Sequence, residues 1–146
     1  MSKIFCIALL SMLLLVACSK EGNVSKKLNG SWELAQYKLT LLDGISEYAV
    51  CDGQLKIEPS ETLDWNNAFE LSINFDFPSV SGSSSEKGLY RIRQKGEFLD
   101  ASYRDSNNLE THLLDYRIMV LNRSDLQLEF RDTNGRINYL TFRRLN

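Results

Sequence analysis

The side chains that could carry out catalytic chemistry are few, and the sequence does not group them. The single histidine, His112, follows Glu110 and Thr111, and no nucleophile is paired with it locally. The serines of Ser81-Gly82-Ser83 lie in a serine-rich stretch and not in the Gly-x-Ser-x-Gly turn that exposes a catalytic serine. One histidine, with no second His or Cys at ligand spacing, does not make a zinc or transition-metal site. We therefore expect no enzymatic activity, no metal and no cofactor.

The N-terminal segment has the pattern of an export signal that ends in a reactive cysteine. After Lys3, residues 4–16 are apolar except for Ser11. This stretch is shorter than the roughly 20 residues of a membrane-spanning helix, which predicts the apolar region of a cleaved signal. The following Leu15-Val16-Ala17-Cys18 resembles the lipobox of bacterial lipoproteins, in which a small residue precedes the cleaved bond and Cys follows it.

The resemblance to lipoproteins implies an anchor and a location. It implies removal of residues 1–17 and a diacylglycerol thioether on Cys18, usually with a third acyl chain (palmitate or a similar fatty acid) on its amine. Two or three acyl chains hold a protein at a membrane almost irreversibly. Ser19 favours the outer membrane, because Asp at that position is the usual inner-membrane retention signal. Lys20-Glu21 weakly resembles the tags of surface lipoproteins, so both the periplasmic face and the cell surface stay open.

Cysteine usage leaves one thiol in the mature chain. Cys6 leaves with the signal and Cys18 becomes a thioether, so Cys51 has no partner for an internal disulfide. A lone thiol in an oxidising envelope is usually buried and inert, whereas a reactive or cross-linking role is the alternative. The sequence does not decide the role of Cys51.

Composition limits the remaining classes. The chain has 146 residues with 17 basic and 19 acidic side chains, which supports one domain and shows no basic cluster for nucleic acid. We expect a signal peptide at residues 1–17, a lipidated Cys and flexible tether at 18–28, and a folded domain at 29–146. The tether is inferred from polar residues without an apolar period between Ser19 and Leu28.

The mature domain has a period of two. Phe69, Leu71, Ile73, Phe75 and Phe77 alternate with polar residues, which predicts a half-buried strand. The segments 126–130 and 137–143 flank Asp132-Thr133-Asn134-Gly135 and predict a C-terminal hairpin. Further strands are predicted at 32–41, 54–58, 89–93, 97–103 and 113–121, with a loop at 79–87 and a short helical turn within 60–68. The fold class is all-β: an antiparallel up-and-down meander that closes into a small barrel.

The start of the first strand resembles that of lipocalins. Gly30-Ser31-Trp32 contains the Gly-x-Trp pattern of that family at the corresponding place, and the chain ends Phe142-Arg143-Arg144. The resemblance implies that Trp32 closes the base of a lipocalin-like barrel against Arg143 or Arg144 by cation–π stacking. A small barrel is either filled by side chains or holds one small ligand. Aromatic residues at positions 32, 69, 75, 77 and 130 are the candidate fillers, and both alternatives stay open.

The expected function is therefore that of a lipid-anchored binding module of the cell envelope. Its partners would be the membrane, through Cys18, and either a small apolar ligand or an outer-membrane protein, but not nucleic acid. The alternative is a structural or accessory subunit of an outer-membrane complex, with a filled barrel and no ligand. No ligand-binding residue, partner or oligomeric state can be named from the sequence.

Overall fold

The structure is a computed structural model that describes residues 21–59, 67–104 and 110–146, with only the backbone for 103–104 and 110–113. Cys18 and the segment 1–20 lie outside the described residues, as do 60–66 of the predicted helical turn. Residues 21–28 form a helix, α1. The strands are β1 (Gly30–Thr40), β2 (Ser46–Tyr48), β3 (Val50–Pro59), β4 (Asn67–Asp76), β5 (Ser81–Arg93), β6 (Phe98–Arg104), β7 (Glu110–Leu121), β8 (Asp125–Arg131) and β9 (Ile137–Arg144).

The strands form one closed antiparallel sheet. Their order is β2-β1-β3-β4-β5-β6-β7-β8-β9, and β1 also pairs with β9. The short β2 pairs with Lys38–Thr40 of β1, whereas β3 pairs with Gly30–Glu33, so β2 and β3 together make one wall. Since β2 and β3 together occupy one strand position, the result is an eight-stranded, up-and-down, lipocalin-like barrel. The predicted fold class is confirmed.

The core is the inside of the barrel because the side chains alternate between its two faces. On β4, Phe69, Leu71 and Ile73 are buried, while Glu70 and Ser72 are exposed. On β9, Leu140 and Phe142 are completely buried. Each such side chain contributes about 1.5–3 kcal/mol when it leaves water. The period of two therefore gives one apolar interior and one polar exterior.

The predicted loop at 79–87 is wrong, because β5 begins at Ser81. Its serine-rich half pairs residue by residue with β4, from Asp76↔Ser81 to Glu70↔Lys87. Backbone hydrogen bonds form such a ladder without apolar side chains. Gly82 also leaves room for a ring, since a Cβ there would lie 3.1 Å from Cζ of Phe75. At Gly82, a small residue therefore accommodates the large side chain of the residue with which it pairs.

The predicted flexible tether is wrong for residues 21–28, which form α1 and pack on the barrel. Leu28 is completely buried, and Val24 contacts the turn between β5 and β6 at Gly96. Val24 and Leu28 are four residues apart, which places them on one face of a helix. The folded unit therefore includes α1 and does not begin at residue 29.

A Gly53→Ala variant tests the close approach of β3 and β4. A Cβ at Gly53 would lie 2.5 Å from the carbonyl oxygen of Ser72 and 2.9 Å from Cα of Ile73. Because the obstacle is backbone, we expect the free energy of unfolding to fall by about 2 kcal/mol in urea titration. The control is Gly22→Ala in α1, where no atom lies within 4 Å, and stability should stay or rise by up to about 1 kcal/mol. Equal effects of the two changes would contradict the explanation.

Candidate functional site

One end of the barrel is closed by a tryptophan under an arginine. Trp32 is completely buried, and its Nε1 donates a hydrogen bond to the carbonyl oxygen of Leu28 at 2.8 Å. The guanidinium carbon of Arg144 lies 4.1 Å from the centroid of the Trp32 ring. This stacking is a cation–π contact. We call this end of the barrel the base.

Arg144 also fastens the segments that meet at the base. Its Nη1 donates to the carbonyl oxygen of Asn29 at 2.7 Å, and its Nε donates to that of Arg123 at 2.8 Å. Its Nη2 donates to the carbonyl oxygen of Lys27 at the end of α1. One side chain thus joins α1, the β7–β8 turn and β9. Arg143, the other candidate from the sequence, is exposed because consecutive residues of a strand face opposite sides.

A small polar cluster, which the sequence analysis did not identify, completes the base. Asn67 is fully buried at the start of β4. Its Oδ1 accepts a hydrogen bond from Ser25 of α1 at 2.7 Å, and its amide donates to Asn29. The cluster links α1 to the barrel wall, so the helix is held by polar as well as apolar contacts.

The interior is filled near the base and unfilled toward the other end. A cavity of about 20 Å³ lies among Leu55, Ile57, Phe69 and Tyr90, which is room for one water molecule at most. The hydroxyl of Tyr90 is buried there, with no hydrogen-bond partner among the residues that the structure describes. Beyond Leu71 and Tyr116, which line both spaces, a second cavity of about 200 Å³ begins.

The larger cavity, which we call the mouth cavity, lies toward the loops 41–45, 77–80 and 132–136. Its inward-facing Ser84, Glu86 and Phe130 are half-buried, so solvent reaches the barrel interior at this end. The cavity is lined by aliphatic, aromatic and polar side chains. The aromatic and polar ones are Tyr37, Phe75, Tyr116, Phe130, Ser84 and Glu86. The interior is thus neither completely filled nor a wide ligand chamber.

The aromatic rings of the mouth cavity are held by edge-to-face contacts. The Tyr37 ring centroid lies 5.4 Å from that of Phe75 and 4.8 Å from that of Phe77. Across the cavity, the centroids of Tyr116 and Phe130 are 5.4 Å apart. Such pairs contribute about 0.5–1.5 kcal/mol beyond burial. The rings therefore form two preorganised walls, one from β1 and β4 and the other from β7 and β8.

Glu86 places a carboxylate inside this aromatic space. Its Oε2 accepts a hydrogen bond from the hydroxyl of Tyr116 at 3.2 Å. Burial, followed by the charge of Glu86, raises the pKa of Tyr116 well above its ordinary value. Burial, followed by the charge of Asp132, raises the pKa of Tyr37 to about 12. Both tyrosines are therefore neutral hydrogen-bond donors at physiological pH.

A hydrogen-bond network fixes the β8–β9 turn beside the mouth cavity. The hydroxyl of Tyr37 donates to Oδ1 of Asn138 at 2.8 Å, and Asp132 accepts from Nε of Arg136 at 2.8 Å. Burial alone would raise the pKa of Asp132, but hydrogen bonds from Arg136 and Asn138 lower it below its usual range. Arg136 is thereby engaged as an ion-pair partner of Asp132.

Apolar side chains are exposed at the mouth. Leu42 and Val50 are 79% and 81% exposed, and Ile45, Tyr48 and Val80 are also exposed. They belong to the β1–β2 loop, to β2, to the start of β3 and to the β4–β5 loop. The rim of the mouth cavity therefore continues its apolar lining onto the surface.

Cys51 does not line the mouth cavity. Cys51 is a half-buried free thiol at the start of β3, and burial raises its pKa, which lowers its thiolate fraction. His112 lies in β7 opposite Ser102, and its side chain is outside the described part. Within 21–59, 67–104 and 110–146, no group of three or more His, Cys, Asp or Glu side chains could hold a metal ion.

Within those same ranges, no helix is both long and apolar enough to cross a bilayer.

Solved structures resemble the chain in its fold. A de novo designed fluorescence-activating β-barrel is 16% identical, with a TM-score of 0.48 and coverage of 83% of this chain and 96% of that one. A redesigned β-barrel bound to DFHBI is 15% identical, with a TM-score of 0.48 and coverage of 83% and 98%. An S-type phycobiliprotein lyase from Guillardia theta is 9% identical, with a TM-score of 0.45 and coverage of 86% and 92%. No protein-family profile and no curated protein matches the sequence.

Sequence reasoning missed Glu86 because it assigned the segment to a loop. The alternation of inward and outward side chains along β5 could have identified it. Tyr90 and Ile92 are buried on β5, and counting back in steps of two from them places Glu86 on the same inner face.

Variants of the two terminal arginines test the closure of the base. Arg144→Ala removes a cation–π contact and hydrogen bonds to three carbonyl groups, so we expect the free energy of unfolding to fall by about 2–3 kcal/mol. Arg143→Ala removes an exposed side chain and should change it by less than about 0.5 kcal/mol. Urea titration with tryptophan fluorescence measures both. Similar losses in the two variants would contradict the role of Arg144.

Proposed function

We propose that this protein is a non-enzymatic binding module that holds a small, largely apolar molecule in the mouth cavity. The observation that carries the proposal is the difference between the two ends of the barrel. The base is closed by Trp32 and Arg144, whereas the other end has about 200 Å³ of aromatic-lined space open to solvent. Pockets of this kind, apolar with a few convergent polar groups, are typical of ligand sites.

The size of the cavity limits the ligand. Cavities of about 150 Å³ in protein cores bind benzene, whereas drug-sized ligands need about 300 Å³ or more. We therefore propose a ligand with a one- or two-ring body or a short branched chain. A longer molecule would extend over the exposed apolar rim at Leu42, Ile45 and Val50.

A protein partner at the mouth is the second candidate. The exposed apolar side chains of the rim favour it, since exposed apolar patches commonly mark interaction sites. The structural-subunit alternative with a filled barrel has less support, because the mouth cavity is unfilled.

We also propose that the barrel is anchored to the outer membrane through a lipidated Cys18. The lipobox-like Leu15-Val16-Ala17-Cys18 supports the anchor, and Ser19 supports the outer membrane. Two residues, Ser19 and Lys20, lie between Cys18 and Glu21, the first described residue of α1, and the three steps from Cys18 to Glu21 span at most about 11 Å. Because α1 packs at the base, this anchor would hold the base near the bilayer and direct the mouth away from it.

A cavity-filling variant tests ligand binding. Ser84 is half-buried in the mouth cavity, so Ser84→Phe should weaken binding of the neutral probe 2-naphthol at least about tenfold in fluorescence titration. Ser85 is its exposed neighbour on the outer face, so Ser85→Phe is the matched control and should bind like the wild type. Circular dichroism shows whether both variants fold. No binding to the wild type, or equal binding to both variants, would overturn the proposal.

Lipidation is tested separately with the two cysteines that remain after signal cleavage. In a bacterial host fed labelled palmitate, we expect Cys18→Ala to abolish incorporation, because the thioether needs that thiol. Cys51→Ala should leave incorporation unchanged. Label that persists in Cys18→Ala, or its absence from the wild type, would refute the anchor without bearing on the cavity.

A further inference from the structure

The mouth cavity contains a negative charge that the described chain does not neutralise. Glu86 receives one hydrogen bond, from the neutral hydroxyl of Tyr116. Among the residues that the structure describes, no lysine or arginine forms an ion pair with Glu86. Arg136, the basic residue of the neighbouring turn, is paired with Asp132 at 2.8 Å.

A half-buried carboxylate in an aromatic-lined space calls for an explanation. Its partner in the described chain is one neutral hydroxyl and not a cation. A glutamine or a leucine would fill the same position if the position were only structural. A cation that enters the cavity would pair with the carboxylate.

The aromatic walls favour the same sign of charge. Tyr37, Phe75, Tyr116 and Phe130 line the cavity, and an aromatic ring attracts a cation that reaches its face, whereas it disfavours an anion there. The carboxylate and the rings are independent features, and both point to a positive ligand. A bare metal ion does not fit, because the described chain places no group of three or more His, Cys, Asp or Glu ligands together.

We propose that the ligand of the mouth cavity is a small organic cation. This inference rests on the proposed function and adds its charge: a protonated amine or quaternary ammonium group lies against Glu86, and an apolar body packs between the aromatic walls. Tyr116 orients the carboxylate through its hydrogen bond, and the half-buried position of Glu86 gives the cationic group access from the mouth.

Three compounds that share a benzene ring and a two-carbon chain test the charge. At pH 7, 2-phenylethylamine is a cation, 2-phenylethanol is neutral and 3-phenylpropionate is an anion. In calorimetric titrations of the purified full-length protein, we expect the amine to bind about tenfold more tightly than the alcohol, because charge-assisted hydrogen bonds are the stronger ones. The anion should bind more weakly than both.

Substitutions test whether Glu86 causes the preference for the amine over the alcohol. Glu86→Gln keeps the shape and an acceptor for Tyr116, so we expect the amine to lose about tenfold and bind like the alcohol, whose affinity stays unchanged. Glu70→Gln, an identical change on the exposed outer face of β4, should leave all three affinities as they are. Tyr116→Phe keeps the carboxylate and should keep the preference for the amine, which separates charge from packing.

The outcomes distinguish this inference from the proposed function. Affinities within about threefold for the three compounds, or a preference that survives Glu86→Gln, would overturn the cation and leave a neutral binding module. If none of the compounds binds and 2-naphthol also fails to bind, both proposals fall. If 2-naphthol binds and the three compounds do not, the cation inference falls alone.

Discussion

The hydrogen-bonded ladder between β1 and β9 is the interaction on which the rest of the structure depends. It runs from Trp32↔Arg144 to Thr40↔Ile137 and joins the first long strand to the last. Closure removes the unpaired edges of β1 and β9 and turns one face of the sheet into an interior. The same register places Arg144 directly across from Trp32. The closed base is therefore a consequence of how the barrel closes.

The fold could be predicted where the residue types show which side chains point into the barrel and which point outward. The alternation of β4 and the hairpin of β8 and β9 were readable because large apolar residues recur at every second position. The first half of β5 was not readable, because serine and glycine leave no apolar period and its pairing depends on β4. The helix at 21–28 was missed for a related reason, since its buried apolar face in this described range consists of Val24 and Leu28.

The site could be predicted only in part, because its geometry depends on small irregularities of the ladders. The register of β1 against β9 shifts between Leu34 and Gln36, and this bulge brings Tyr37 onto the inner face with Trp32 although their spacing is odd. The choice between Arg143 and Arg144 depends on the same register. The volume of the mouth cavity is the volume that the barrel encloses minus the volume of its inward side chains. The alternation of apolar and polar residues in the sequence gives neither of these volumes.

The two ends of the barrel differ in how completely their space is filled and their polar groups are paired. At the base, the buried Trp32 Nε1 and Asn67 amide have protein partners, and the arginine that stacks on Trp32 is anchored to three carbonyl groups. At the mouth, the interior is left unfilled, and Glu86 relies on one hydroxyl. Departures from ideal packing are expected at functional sites, so the unfilled space at the mouth supports the proposed binding site. Because the contacts that close the base do not involve the mouth cavity, the base can stabilise the barrel while the opposite end holds the proposed ligand.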